Sequence, residues 1–439
     1  MIKILKMLRR SIPIAVCGLL LLSACSKNKQ SDTIPKYDPS KPLTLQRFTP
    51  DSGGVGTQMI IYGENFGNDA AIVKVFINDI PAPVVGVKNN TIFVLIPSQA
   101  GEGPVKVKVG ADAAMKEVTS ATNFNYLFNP VVGTLAGFTD KDGKTAIVDG
   151  DIKKAQFEEP YWLLFDQHKN LYLLEEHRGL RFIDSARTTV KTLFRTGNGL
   201  DRPRTLAFNP TFDTLYVTND QWDERGLSTA ILTPESGFTR WNSLIFSQTT
   251  NGGDANPKTG DFFFNSYAKG EMFKWDRTTK SSRLMYRVDD VNWEFNIQFA
   301  PSGDFAYIVV VNQSYVLRTK YNRETGMLDA PVHFAGGRGQ HAHRDGVGAD
   351  ARFDHPQQGA FDKNNNFYLA DVMNHCIRKI TPEGVVSTFA GRPREYGYAD
   401  GPLRKAQFDR PQGIAYDEAA ATFYVADQKN RRIRTISVE

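Results

Sequence analysis

The chain has 439 residues, with 53 Lys and Arg against 48 Asp and Glu and only three cysteines. That length calls for two domains. Lys3, Lys6, Arg9 and Arg10 carry much of the net charge of +5, so the remainder is close to neutral and excludes a nucleic-acid surface.

Residues 1–25 read as an address. A basic start is followed by a short apolar run from Ile12 to Leu22, too short for a committed transmembrane helix. Leu22-Ser23-Ala24-Cys25 resembles a bacterial lipobox, which implies a signal peptide, a lipid on Cys25 and attachment to a membrane. Ser26 after that cysteine resembles outer-membrane sorting, on the periplasmic or the cell-surface side. With Cys25 lipidated, Cys376 is the one thiol of the mature body, which excludes an internal disulfide. Residues 26–41, polar and containing Pro35 and Pro39, read as a flexible tether.

Residues 42–128 carry short alternating runs, such as Met59-Ile60-Ile61-Tyr62, Val73-Lys74-Val75-Phe76-Ile77 and Val105-Lys106-Val107-Lys108-Val109. Their spacing and the intervening turn clusters predict an all-β sandwich. The order Gly56-Thr57, Gly63-Glu64-Asn65-Phe66, Asn78-Asp79 and Pro97 resembles the IPT/TIG immunoglobulin-like domain. That resemblance implies a spacer or interaction module. Asn65 and Asn78 read as turn residues rather than ligands.

From residue 130 to 439 one pattern recurs. Asp-Gly, Ala, Phe, Pro and Asp follow one another at fixed spacing from Asp149, Asp345 and Asp400, and each copy continues into a β-forming run such as Phe423-Tyr424-Val425-Ala426. A recurrence with four short strands per copy predicts propeller blades. The runs Asp371-Val372-Met373-Asn374 then Arg378, and Asp427-Gln428-Lys429-Asn430 then Arg434, resemble the NHL repeat. Counting strand pairs through the less regular middle gives six blades. The last lacks its own fourth strand, and residues 131–137 are expected to pair into it and close the ring. The recurring Asp, Asn and Arg positions are expected to cap turns and bond between blades.

Function is expected where the copies differ. The position after each loop proline should face the channel mouth, which makes Tyr161, Arg204, Gln357 and Gln412, with Trp162 and Trp293, the candidate ligand-binding residues. Aromatic faces beside hydrogen-bonding edges suit a sugar or another planar ligand. His341-Ala342-His343-Arg344-Asp345 contains metal-ligand types, but it precedes a blade and reads as a solvated loop. No catalytic residue, metal site or cofactor is assigned. The order lipobox, IPT-type domain, NHL-type propeller resembles envelope lipoproteins of Bacteroidetes. That resemblance implies a monomeric, non-enzymatic binding or scaffold protein with a carbohydrate or protein partner, in the setting of a polysaccharide-capture system. The alternative is a propeller hydrolase or lyase, lactonase-like, with a metal in the central channel. Glu176, Asp220, Asp254 and Glu294 are the acidic residues that folding would have to bring together for it.

Overall fold

Gly103–Val109 alternates strictly between buried valines and half-exposed lysines, and this period of two makes it a strand with one face on a core. The computed structural model describes residues 36–97, 100–111, 115–127, 130–140, 143–288 and 294–437. The predicted signal peptide, its Cys25 and Trp293 lie outside them. Gly103–Val109 pairs with Val73–Ile77 and Lys116–Tyr126, and Ile80–Ala82 extends that sheet. The facing sheet is Thr44–Thr49, Gln58–Gly67 and Val84–Leu95. Met59, Ile61, Ile92 and Val94 from one sheet and Val75, Ile77, Val105 and Val107 from the other are all buried. This is the predicted sandwich.

Asn65 and Asn78 adopt left-handed backbones at φ 67° and 49°, which asparagine tolerates. Their side chains bind main chain. Asn65 receives a hydrogen bond from Asp38 N at 2.9 Å and donates to Asp38 O at 2.8 Å, and Asn78 donates to Ala100 O at 2.9 Å. Residues 36–41 of the predicted tether are therefore pinned by Asn65 rather than free.

The second unit consists of six antiparallel sheets in chain order. Blade 1 spans 160–195, blade 2 Pro203–Phe246, blade 3 Gly253–Arg287, blade 4 Phe295–Ala335 and blade 5 Pro356–Ala390. Blade 6 takes Pro411–Asp417, Thr422–Asp427 and Arg432–Ser437, and its fourth strand is Val131–Ala136, antiparallel to Arg432–Ser437. The second strands, such as Leu171–Glu175 and Phe367–Asp371, are buried along their whole length because a neighbouring blade covers each face. One apolar cluster joins Leu163 and Leu173 of blade 1 to Ala415 and Tyr424 of blade 6, so the ring closes on packing as well as on hydrogen bonds. Among the described residues no helix is long and apolar enough to cross a membrane.

The three clear repeats share one buried device. In blade 5 Arg378 Nη1 donates to Asp371 at 2.9 Å and Nη2 to Asp345 at 2.7 Å, while the guanidinium lies over the Phe353 ring at 5.3 Å. Blade 6 repeats it with Arg434, Asp427, Asp400 and Phe408. Blade 1 uses Arg181, Glu175, Asp149 and Phe157. Its arginine follows the acid by six residues instead of seven, and the longer glutamate side chain accompanies that shorter loop. A threonine also donates to the Asp of each Asp-Gly: Thr192 in blade 1, Thr388 in blade 5 and, in blade 6, Thr134 of the N-terminal strand. These bonds run within blades rather than between them. The recurrence therefore locks each blade to the loop that enters it.

Candidate functional site

The inner strands begin at or near a proline and converge on the axis. Crowding there is severe. At Gly413 a Cβ would lie 2.3 Å from Tyr161 O, so only glycine lets the inner strand of blade 6 approach blade 1 this closely. Gln358 of blade 5 accepts from Ile414 N at 3.2 Å and reaches blade 1, where it accepts from Leu163 N at 2.9 Å and donates to Leu163 O at 2.6 Å. On the other side Gln298 donates to Gln357 O at 3.3 Å and accepts from Gly359 N at 2.8 Å.

At the end where the inner strands start, a polar cluster fills the axis. Tyr161 donates to Gln357 Oε1 at 3.2 Å, and the Arg204 guanidinium lies 4.8 Å from the centre of the Tyr161 ring. Arg204 is paired with Glu176, which also accepts from Arg202 at 3.0 Å. Arg202 in turn meets Asp220 at 2.9 Å, and Tyr267 donates to Asp220 at 3.1 Å. Burial alone would lower the Arg204 pKa, but Tyr161, Glu176, Glu294 and Asp220 outweigh it and hold the cation charged. Burial alone would raise Glu176, and Arg204 with Arg202 pulls it below its usual range instead. Burial pushes the Tyr161 hydroxyl up.

This end therefore differs from an open aromatic ring. Tyr161, Trp162 and Arg204 are 3, 4 and 4% exposed, and Gln357 is buried. Tyr161, Arg204 and Gln357 do come together, but they bind one another. Gln412 stands apart, donating to Gln428 at 3.1 Å. Glu176 and Asp220 pair with Arg202 and Arg204, and the charge of Glu294 acts on Arg204, so these carboxylates meet arginines rather than one another. His343 is turned inward onto Thr388 at 2.7 Å, and Asp345 is tied to Arg378.

Further along the axis the inner strands of all six blades line an open cavity of about 250 Å³. Trp162, Phe165, Leu206, Phe299, Phe361 and Tyr416 supply its apolar walls, and Gln298, Gln358 and Asp254 its polar atoms. Gln358 spends its amide on strand main chain, and Gln298 spends its own on main chain and on Asn296 Oδ1, to which it donates at 2.7 Å. Among the described residues Asp254 accepts from Ala255 N and Phe299 N, each at 2.8 Å, and each of its oxygens keeps a further lone pair. No counter-ion meets it among the described ion pairs, and burial pushes its pKa up to about 7. Of the ligand-binding residues expected from sequence Trp162 is the one that lines this cavity, and of the four acidic residues named there Asp254 is the one that does. Phe165, Phe361 and Tyr416 were missed although they occupy equivalent places near the ends of their inner strands, a signal the alignment of repeats already contained.

A domain model described as IPT/TIG domain matches residues 43–126. The human protein named NHL repeat-containing protein 2 is 32% identical over 97 residues, 22% of this chain and 13% of that protein. The chain spans between 13% and 26% of the length of the curated relatives it matches. An IPT/TIG sandwich followed by an NHL-type propeller is thus the class of protein defined here.

Among solved structures, an auxiliary nutrient binding protein of Bacteroides thetaiotaomicron is 38% identical, with TM-score 0.69 over 91% of this chain and 99% of that one. One of the same description from Bacteroides ovatus is 31% identical, with TM-score 0.79 over 92% and 99%. A structure from Bacteroides thetaiotaomicron described as a putative phosphatase is also 31% identical, with TM-score 0.68 over 92% and 98%. The chain belongs to the family these Bacteroides proteins represent.

Proposed function

We propose that the chain is a non-enzymatic binding lipoprotein, carried on the outer membrane by a lipid on Cys25, that captures a small hydroxylated ligand. The ligand class is a sugar unit of a glycan, and the setting is polysaccharide capture. The observation that carries this reading is the axial cavity, where aromatic walls surround one carboxylate with unused lone pairs. Apolar faces with a few placed polar groups are what a small-molecule site requires. The volume suits one small ring rather than an extended chain. The description of two relatives as auxiliary nutrient binding proteins supports the same reading.

The test is calorimetric titration of the chain from Ser26 onward with a panel of monosaccharides and polysaccharides. Saturable binding by one of them, lost in Trp162→Ala and weakened in Asp254→Asn, is expected. A flat titration across the panel would remove the glycan.

A protein partner is the second reading. Trp222 and Tyr396 are 69% and 71% exposed on loops at the inner-strand entry end, where large aromatics serve as interface anchors. Binding that survives Trp162→Ala but not Trp222→Ala would favour it.

A further inference from the structure

The loop His341-Ala342-His343-Arg344-Asp345 and the chain before Pro356 come together between blades 4 and 5, and they pair differently from their order in sequence. His343 and Asp345 turn into blade 5, as described above. His341 instead faces Asp354 and His355. His355 Nδ1 lies 2.7 Å from Asp354 Oδ1, and His341 Nδ1 lies 3.6 Å from the same oxygen. The two rings are stacked, their centres 5.1 Å apart at 20°. One ligand atom from each of the three residues lies within 4.8 Å of the others.

We propose that His341, Asp354 and His355 form a surface site for a divalent transition-metal ion of the zinc class. Two imidazoles and one carboxylate match the ligands such ions prefer over magnesium or calcium. Bonds of about 2.0 Å at tetrahedral angles place ligand atoms roughly 3.3 Å apart, so an ion would replace the 2.7 Å His355–Asp354 hydrogen bond and draw in atoms that now lie within 4.8 Å of one another. Three protein ligands leave a position for water or an incoming donor atom.

The site is held by groups outside the ligand set. Ser314 Oγ accepts from His355 N at 3.0 Å and so anchors that residue's backbone, while its 2.8 Å contact with His341 Nδ1 would be exchanged for the ion if that nitrogen is the ligand. Asp354 N donates to Asp371 at 2.7 Å, so its backbone is anchored to the buried arginine device of blade 5. Such supporting contacts orient ligands before an ion arrives.

Among the described residues the two other clear repeats lack these ligands. In blade 6 the corresponding bond to the buried acid comes from Asp409 N, and the next residue is Arg410, a cation where blade 5 has His355. In blade 1 the corresponding donors are Glu158 and Glu159. The histidines therefore serve no requirement of the repeat. The left-handed backbone of His355 at φ 52° is shared by its counterpart Arg410, so that conformation belongs to the repeat and the imidazole does not.

The experiment is titration of the full, untagged and EDTA-treated chain with ZnCl2 by calorimetry, with Co2+ absorption as a second readout. One equivalent is expected to bind, with ligand-field bands for Co2+ and no comparable response to Mg2+. His341→Ala and His355→Asn should each weaken zinc about tenfold or more. The asparagine keeps the left-handed backbone accessible, and an unchanged melting curve shows that the fold persists. The exposed His168→Ala should bind as the parent does. Absence of saturable binding, equal binding of Mg2+, or binding unchanged in both site variants would overturn the proposal.

Discussion

Gln358 of blade 5 closes a ring of two hydrogen bonds with the main chain of Leu163 in blade 1, reaching past the inner strand of blade 6 to do so. The same oxygen accepts from Ile414, so one amide ties three blades at the axis. A glutamine replaced by leucine keeps the volume but leaves Leu163 N, Leu163 O and Ile414 N without these partners. Gln358→Leu is expected to cost about 1–3 kcal/mol for the buried groups left unsatisfied. Urea unfolding measures it, and an unchanged midpoint would show that other contacts hold the axis.

The arginine device predicts a larger effect. Arg434 and Asp427 are both fully buried, and Arg434→Ala leaves the carboxylate without its cation. A loss of about 3–5 kcal/mol is expected. Lys106→Ala, beside the exposed Asp79, is expected to leave the midpoint almost unchanged. The contrast in unfolding midpoints checks that burial, not the count of ion pairs, sets the cost.

Closure by the N-terminal strand is tested at Val132, which is buried against blade 6 beside Phe408 and Ile436. Val132→Asp places an unpaired carboxylate in that cluster and is expected to cost about 3–5 kcal/mol. Val131→Asp, on the neighbouring exposed position, should be nearly neutral. If both variants melt alike, the strand does not close the ring in solution.

His343 gives a pH dependence with a defined sign. Burial, reinforced by Arg378, lowers its pKa from the ordinary 6.5 to about 4. The fold thus favours the neutral ring. Its contribution is fully present above pH 6.5 and is lost as the pH falls toward 4. His343→Gln should flatten the stability profile across that window, measured as denaturant midpoint against pH.

Asp254 acts in the opposite sense. Burial raises its pKa from 3.8 to about 7, so the fold favours the protonated acid. That contribution is present below pH 3.8 and is lost as the pH rises through 7. Asp254→Asn should therefore gain stability relative to the parent as the pH increases through this range. A difference independent of pH would show that the carboxyl is hydrated by the cavity.

Sequence alone determined the parts of this protein that repeat. The Asp-Gly to Pro spacing, the alternation in Gly103–Val109 and the turn asparagines are local signals, and each corresponds to a backbone conformation or a buried face that a short stretch can specify. Even the missing fourth strand of blade 6 was readable, because Thr134-Leu135-Ala136-Gly137 repeats the pattern of Thr388-Phe389-Ala390-Gly391. Tertiary structure decided what the unlike residues do. Tyr161, Arg204 and Gln357 stand in the expected layer, yet Tyr161 is bonded to Gln357 and Arg204 is paired with Glu176, because a buried charge or hydroxyl at a crowded axis must find a partner. Asp254 became the polar group of a cavity only when six strands converged. His341 left its sequence neighbours for Asp354 and His355, because the intervening residues were claimed by blade 5. Such pairings depend on side chains far apart in sequence competing for the same space, and no local pattern encodes the outcome.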